Sequence, residues 1–213
     1  GERAIPHSLG NGMTVRLVAD SLELARGGRT LFRALSFAAA PGAFLEVRGA
    51  NGSGKTSLLR LIAGYLKPRA GGVRFDGADE PALAVHFVGH LNGLKGAASA
   101  AAHVSYWKDL FGGDPAPNAL ELVGLARQAL LPVRVLSQGQ ARRLALARLM
   151  VARRPVWLLD EPAAGLDSEG RDTLKSLLQS HCRAGGIVLA ALHEPLGLAP
   201  THTINLGSLG ARA

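Results

Sequence analysis

The sequence predicts an α/β fold built on a parallel β-sheet, with an antiparallel β subdomain near the N-terminal end and a small helical subdomain. Residues 156–159 (VWLL) and 186–191 (GIVLAA) are continuous apolar stretches, which are typical of strands buried on both faces of a parallel sheet. Residues 43–48 (AFLEVR) predict another strand, and a glycine-rich turn separates that strand from an apolar helical stretch. This order of strand, turn and helix is the context in which a glycine-rich turn holds phosphate groups.

The other elements follow in chain order from turn residues and apolar periodicity. Gly27 and Gly28 predict a hairpin turn between two strands, and Pro41-Gly42 turns the chain into the strand at 43–48. The remaining strands are expected at 15–24, 30–37, 71–76, 84–89 and 203–206. The helices are expected at 57–66, 138–152 and 168–182, with Ser168 as the N-cap of the last one.

The domain organisation predicted from composition is a single domain over residues 13–213. Residues 97–131 are rich in Ala, Leu and Gly and contain Pro115 and Pro117, which indicates a mostly helical insert within a helical subdomain at about 97–150. Residues 1–12 have no apolar core of the kind found in a secretory signal. We interpret them as a tag remnant or a disordered extension, and we expect the native start at Met13.

Net charge, cysteine content and the length of apolar runs limit the classes of function that the chain can have, but they do not identify one. The 213 residues carry a formal net charge of +8, which fits either an arginine-rich surface or contact with phosphates or an anionic membrane surface. A single cysteine, Cys182, excludes an internal disulfide and is expected in a reducing compartment. No apolar run reaches 18 residues, so any membrane-spanning part is expected from another chain.

The glycine-rich turn fits the pattern G-x-x-x-x-G-K-[ST], which predicts a site for a nucleoside triphosphate. Its glycines allow consecutive N–H groups to point inward, and the helix that follows adds partial positive charge at the same place. Lys55 is expected to reach the outer phosphates, and the Thr56 hydroxyl to bind Mg²⁺. The alternative is a chance turn before a helix. The predicted nucleotide contacts here are Gly49, Ala50, Asn51, Gly52, Ser53, Gly54, Lys55, Thr56 and Ser57.

Two carboxylates, Asp160 and Glu161, follow the apolar strand at 156–159. A carboxylate at the end of a buried strand, across from the phosphate loop, can hold Mg²⁺ directly or through water. Glu161 is then placed to orient or deprotonate an attacking water. The alternative is an acidic pair that caps a neighbouring helix N-terminus, which is a common arrangement.

Residues 136–140 (LSQGQ) resemble the LSGGQ signature of the ABC ATPases and stand directly before a predicted helix. Residues 161–167 (EPAAGLD) are similar to the acidic end of the Walker B motif and the D-loop that follows it. His193, just past the strand at 186–191, matches the switch histidine of that family. The resemblance extends from Val15 to Leu206, and the chain is identified on these ordered motifs as a member of the ABC ATPase family.

The family resemblance implies ATP and Mg²⁺ as ligands and an ABC-type nucleotide-binding fold. It also implies a homodimer in which two ATP molecules lie between two head-to-tail copies. The signature would then be a second anion site at a helix N-terminus, facing the γ-phosphate bound by the other copy. In this scheme Glu161 activates water and His193 contacts the γ-phosphate. The signature residues implied in nucleotide binding are Ser137, Gln138, Gly139 and Gln140.

Three positions depart from the family pattern. Arg26 stands where an aromatic residue ordinarily stacks on adenine, and a guanidinium plane can also stack on a base. His90 stands where a glutamine ordinarily links Mg²⁺ to the membrane partner. Because an imidazole nitrogen suits Mg²⁺ poorly, we expect His90 to act through a metal-bound water or to serve only the partner contact. Gln138 replaces the first signature glycine.

The motifs around His90 and residues 153–162 resemble one group within the family, the ATP-binding subunits of heme exporters of bacterial cytochrome c maturation. That resemblance implies a peripheral ATPase on the cytoplasmic face of the bacterial inner membrane, bound to integral membrane subunits and not to nucleic acid. It further implies that hydrolysis is coupled to release of the heme-loaded chaperone. The alternatives are the ATP-binding subunit of another importer or exporter, or a soluble ABC ATPase that moves no solute.

Overall fold

The computed structural model describes residues 15–112 and 118–208 and has the predicted α/β fold. A five-stranded parallel sheet has the order β5-β6-β7-β3-β8, and a three-stranded antiparallel sheet has the order β2-β1-β4. The strands are β1 (Arg16–Arg26), β2 (Arg29–Ala39), β3 (Phe44–Arg48), β4 (Ala70–Asp76), β5 (Val85–Val88), β6 (Val156–Asp160), β7 (Ile187–Ala191) and β8 (His202–Asn205). The helices are α1 (Lys55–Ile62), α2 (Ala100–Phe111), α3 (Ala119–Leu122), α4 (Gln138–Ala147) and α5 (Ser168–Arg183).

The parallel sheet is covered on both faces, which explains why β7 and the first four residues of β6 are all apolar. Val156 and Leu158 of β6 face a core shared with α1 and the antiparallel sheet. Trp157 and Leu159 face a second core shared with α2, α4 and α5. Successive side chains of a strand point to opposite faces, so a strand between two cores has no solvent side on which to place polar residues.

Several helix boundaries differ from those that the sequence predicts. Helix α1 begins at Lys55, two residues earlier than expected, and α4 ends at Ala147, where a 3₁₀ turn covers Arg148–Met150. The expectation that Ser168 caps α5 is wrong. Asp167 is the N-cap, and its carboxylate accepts a hydrogen bond from the Gly170 N–H at 2.8 Å.

Helices α2, α3 and α4 lie within residues 97–150, where the sequence predicts a helical subdomain, and all three contribute to the second core. Ser99 caps α2, with its hydroxyl accepting from the Ala102 N–H at 3.1 Å, and the helix buries Ala100, His103 and Trp107. The expectations for residues 1–12, Met13, Pro115 and Pro117 fall outside the described residues.

Candidate functional site

The glycine-rich turn connects β3 to α1 and has the backbone that the motif requires. Gly49 and Gly54 have φ values of +154° and +102°, and a Cβ atom at Gly49 would collide with the Ser53 hydroxyl. Gly54 occupies the N-cap position of α1, and no described side chain caps that helix. The N–H groups of its first turn therefore point toward the turn without a side-chain acceptor.

Lys55 is folded into the same turn. Its side chain is buried, and Nζ donates to the Gly49 carbonyl at 2.7 Å and to the Ala50 carbonyl at 3.3 Å. The ammonium group therefore lies within the turn, beside the N–H groups of the α1 N-terminus. Together they concentrate positive charge at one point.

Thr56 and Asp160 meet across the carboxyl edge of the parallel sheet. The Thr56 hydroxyl donates to the Asp160 carboxylate, at 3.1 Å to Oδ1 and 3.0 Å to Oδ2. Asp160 is the last residue of β6 and is 2% exposed. The sheet brings these residues together because β3, which leads into α1, and β6 are both neighbours of β7 and run parallel to it.

The Glu161 carboxylate lies between two histidines. His193 Nε2 is 2.7 Å from Oε1, and His90 Nδ1 is 3.6 Å from Oε2. The backbone of Glu161 is left-handed, with φ at +50°, and its N–H donates to the Ala191 carbonyl at 3.0 Å. His193 follows the end of β7, and His90 follows the end of β5, so the carboxyl ends of three neighbouring strands assemble this group.

A cavity of about 440 Å³ joins the phosphate loop to this carboxylate. Arg26, at the end of β1, also lines it, and the sequence predicts a base-stacking residue at this position. The residues that line the cavity are Arg26, Leu31, Asn51, Gly52, Gly54, Lys55, Thr56, Ser57 and Glu161.

The signature residues form a separate group at the N-terminus of α4. Ser137 is the N-cap: its hydroxyl accepts from the Gln140 N–H at 3.1 Å, and its own N–H donates to Gln140 Oε1 at 2.9 Å. Gln138 packs on Gly165, where a Cβ atom would lie 3.2 Å from Gln138 Cγ. Among the described residues, none of Ser137, Gln138, Gly139 and Gln140 lines the cavity at the phosphate loop.

The sequence did not predict a role for Arg142 or Asn92, yet both are central to the packing of the site. Arg142, one turn into α4, is 2% exposed and donates hydrogen bonds to both Asp160 and Glu161 backbone carbonyls. It also donates to Asn92 Oδ1 at 3.0 Å. Burial lowers the pKa of the Arg142 guanidinium from its usual value. The only sequence signal was an arginine within a helix whose neighbouring positions are mostly apolar.

In the part of the chain that the structure describes, no helix is both long enough and apolar enough to cross a membrane.

Comparison with protein families places residues 32–164 in the family described as "ABC transporter". The chain is 49% identical over 188 residues to the "Cytochrome c biogenesis ATP-binding export protein CcmA" of Rhodopseudomonas palustris (strain BisB5), which covers 86% of this chain and 94% of that protein. It is 46% identical over 200 residues to the protein of the same name from Chelativorans sp., and the aligned region covers 91% of this chain and 99% of that protein.

Solved structures agree on the fold. A putative ABC transporter ATP-binding protein from Pyrococcus furiosus superposes with a TM-score of 0.81 at 23% identity, over 92% of this chain and all of that one. Another solved structure is that of cbiO1 from Clostridium perfringens, part of the ABC transporter complex cbiONQ. It superposes with a TM-score of 0.70 at 26% identity, over 84% of this chain and 78% of that one. The chain therefore belongs to the ABC transporter family, in the group of the cytochrome c biogenesis ATP-binding export proteins CcmA.

Proposed function

We propose that this chain is the ATP-hydrolysing subunit of a membrane ABC complex that exports heme for cytochrome c biogenesis. The observation that carries the enzymatic part is the convergence of the phosphate loop, the Thr56–Asp160 pair and the Glu161 carboxylate at one edge of the sheet. The export part is supported by the name shared by relatives that are 49% and 46% identical over most of their length.

ATP would bind in the 440 Å³ cavity with its phosphates in the glycine-rich turn. Lys55 Nζ now bonds two carbonyls of the turn, at 2.7 and 3.3 Å, and would exchange these neutral acceptors for phosphate oxygens. The uncapped N–H groups of α1 would contact the same phosphates. Arg26 would lie on the base, since its guanidinium is planar and stacks on aromatic faces.

The Thr56 hydroxyl and the Asp160 carboxylate would hold Mg²⁺ together with the phosphates. Both groups offer oxygen, which suits this cation, and they already lie about 3 Å apart. In the described ranges, no group of three or more His, Cys, Asp and Glu side chains could hold a metal by itself. This fits Mg²⁺, which keeps waters and binds one or two protein groups plus substrate phosphates. When bound, the ion would neutralise phosphate charge.

Hydrolysis would proceed by attack of a water oxygen on the γ-phosphorus. Glu161 takes the proton of that water, the new P–O bond forms, and the bond from the γ-phosphorus to the bridging oxygen of ADP breaks. His193 holds the Glu161 carboxylate at 2.7 Å and would also reach the γ-phosphate. His90, near the other carboxylate oxygen, would act through a bound water or through the partner contact.

A second copy of the chain would complete the site. The Ser137–Gln140 segment is a helix N-terminus, and among the described residues it does not line the phosphate-loop cavity of its own copy. An ATP held by the phosphate loop of one copy would therefore meet the signature of the other, in an ATP-dependent homodimer. The dimer would lie against integral membrane subunits on the cytoplasmic face of the bacterial inner membrane, without a nucleic-acid partner. Turnover there would be coupled to release of the heme-loaded chaperone.

Three experiments test this proposal at separate levels. The purified full chain should hydrolyse ATP, and the Lys55→Ala variant should lose that activity. In a bacterium that lacks its own CcmA, the wild-type chain should restore mature c-type cytochromes, measured by heme staining, whereas Lys55→Ala should not. A pull-down from detergent-solubilised membranes should recover integral membrane subunits. ATP hydrolysis without restored cytochromes would instead favour another importer or exporter.

A further inference from the structure

The Arg142 side chain joins three segments that are distant in the sequence. Its Nη2 donates to the Asp160 and Glu161 carbonyls, each at 2.8 Å, and its Nε to the Pro162 carbonyl at 3.2 Å. Its Nη1 donates to the Gly89 carbonyl at 2.9 Å and to Asn92 Oδ1 at 3.0 Å. A guanidinium has five N–H donors, and each here has an oxygen acceptor.

The contacts with Asp160 and Glu161 coincide with backbone strain. Glu161 has a left-handed φ of +50°, which is unfavourable for any residue with a Cβ atom. The two successive carbonyls converge on one nitrogen of Arg142. Hydrogen bonds from a charged donor are stronger than neutral ones, so this side chain stabilises the turn that presents the Glu161 carboxylate.

The other contacts of Arg142 fix the segment that faces Glu161. Residues 89–92 carry His90, whose Nδ1 is 3.6 Å from Glu161 Oε2. Arg142 holds both ends of this segment, at Gly89 and Asn92, and Arg148 Nη2 adds a bond to the Asn92 carbonyl at 3.4 Å. Helix α4, which begins at the signature, therefore holds the backbone of Glu161 and also the loop opposite its carboxylate.

The acceptors around Arg142 explain why an arginine occupies this buried position. Its acceptors are four backbone carbonyls and one amide oxygen, and it forms no ion pair with a described carboxylate. Removing a charge from water is costly, and apolar residues of similar volume often stabilise a buried site better than a charged group does. The arrangement of the five acceptors is what an arginine can satisfy and an apolar side chain cannot.

We propose that Arg142 is a positioning residue for Glu161, so that the placement of the carboxylate depends on the position of the signature helix. This inference rests on the proposed role of Glu161 as the base. In the homodimer proposed above, it would also provide a physical route from the second ATP site to the first: a shift of α4 on contact with the partner's nucleotide would move the Arg142 donors, and with them the Glu161 turn.

The test replaces Arg142 by lysine in the full chain. Lysine keeps the charge but presents its three donors from one nitrogen, which cannot reach acceptors on both segments. We expect kcat to fall about ten- to a hundredfold, as for a misplaced catalytic group, with ATP affinity by calorimetry unchanged. The matched control is Arg154→Lys, since Arg154 Nη1 also donates to two backbone carbonyls, those of Ala82 and Val85, and these lie outside the site. Its kcat should remain that of the wild type.

A double-mutant comparison separates positioning from general destabilisation. In a Glu161→Gln background, Arg142→Lys should cause no further loss of residual turnover, because its effect acts through the missing carboxylate. An equal loss in both backgrounds, or weaker ATP binding with unchanged kcat, would overturn the inference. If the Arg142→Lys variant does not fold, Asn92→Ala is the alternative, because it removes one of the five acceptors of Arg142 and Asn92 is less buried than Arg142. It should lower kcat about three- to tenfold, a smaller loss than that of a fully misplaced group, and only when Glu161 is present.

The proposed role of Glu161 as the base and the proposed role of Arg142 as a positioning residue can be refuted separately. Wild-type activity in Glu161→Gln would refute the proposed base itself. Loss of activity in Glu161→Gln, with normal activity in both Arg142→Lys and Asn92→Ala, would refute only the positioning role.

Discussion

Replacing Glu161 by glutamine tests the proposed base with little change in structure. The two side chains have nearly the same size, and the glutamine carbonyl oxygen can take the place of the carboxylate oxygen that lies 2.7 Å from His193 Nε2. The Glu161 side chain is 26% exposed and that of His193 is 49% exposed, so their pair is well solvated. Such a pair contributes at most about 1 kcal/mol. The midpoint of thermal unfolding should therefore change by no more than about 4 °C in a domain of this length.

The effect on catalysis should be much larger than the effect on stability. An amide cannot take the proton of the attacking water, and loss of a general base lowers turnover by about 10²–10⁴-fold. ATP affinity should not change, since the phosphate loop and Lys55 are intact. Steady-state release of phosphate gives kcat, and calorimetry gives the affinity for ATP.

Glu194→Gln provides the matched control for this substitution. Glu194 follows His193 in the sequence, is largely exposed and pairs with Arg171 at 3.1 Å. Its kcat should equal that of the wild type. If folded Glu161→Gln protein hydrolysed ATP within a few-fold of the wild-type rate, Glu161 would not be the base, and the role would have to pass to another group.

Three further expectations concern other parts of the chain. Lys55→Ala should weaken ATP binding in calorimetry, because it removes the cation of the phosphate loop, whereas Lys67→Ala should not; equal affinities would contradict the assignment. With ATP, the Glu161→Gln variant should elute as a dimer in size-exclusion chromatography, and Ser137→Arg in that background should elute as a monomer; a dimer in both would argue against a shared site. Burial lowers the pKa of His86 and of His181 from 6.5 to about 4, so the unfolded chain takes up protons first as the pH falls. The free energy of unfolding should therefore decrease between about pH 6.5 and pH 4, by about 2 kcal/mol per histidine at pH 5, and urea titrations should show a smaller decrease for His86→Asn.

The sequence predicted those parts of the site that depend on local pattern. The phosphate loop follows from glycine and lysine spacing, and the strands β6 and β7 follow from apolar runs between two cores. Thr56 and Asp160 were each predicted to bind Mg²⁺, with Asp160 across from the phosphate loop, and the structure places their side chains about 3 Å apart. The roles assigned to Arg26, His90, His193 and the signature remain predictions, and the Ser137→Arg variant tests that of the signature.

What the sequence missed depends on groups brought together from distant segments. An arginine on a helix is ordinarily exposed, and the burial of Arg142 follows from oxygens contributed by residues 89–92 and 160–162. Asp167 and Ser168 are both good N-cap residues, and the turn before α5 decides in favour of the aspartate. The start of α1 was missed because Gly54 has no side chain with which to cap it.

The hydroxyl of Ser137 allows one atom to serve two purposes. It accepts the Gln140 N–H as a helix cap, and its own hydrogen is free of that bond, so the same group can donate to an anion of another molecule. In the proposed homodimer, recognition of the partner's nucleotide would then carry no penalty in the folding of α4. Substitution of Ser137 separates the two properties. An aspartate would keep the helix cap and repel the phosphate, whereas an alanine would remove the cap and the hydrogen bond to the phosphate. The stability of α4 and the formation of the proposed dimer would therefore respond differently to substitutions of Ser137, although a single oxygen supports both.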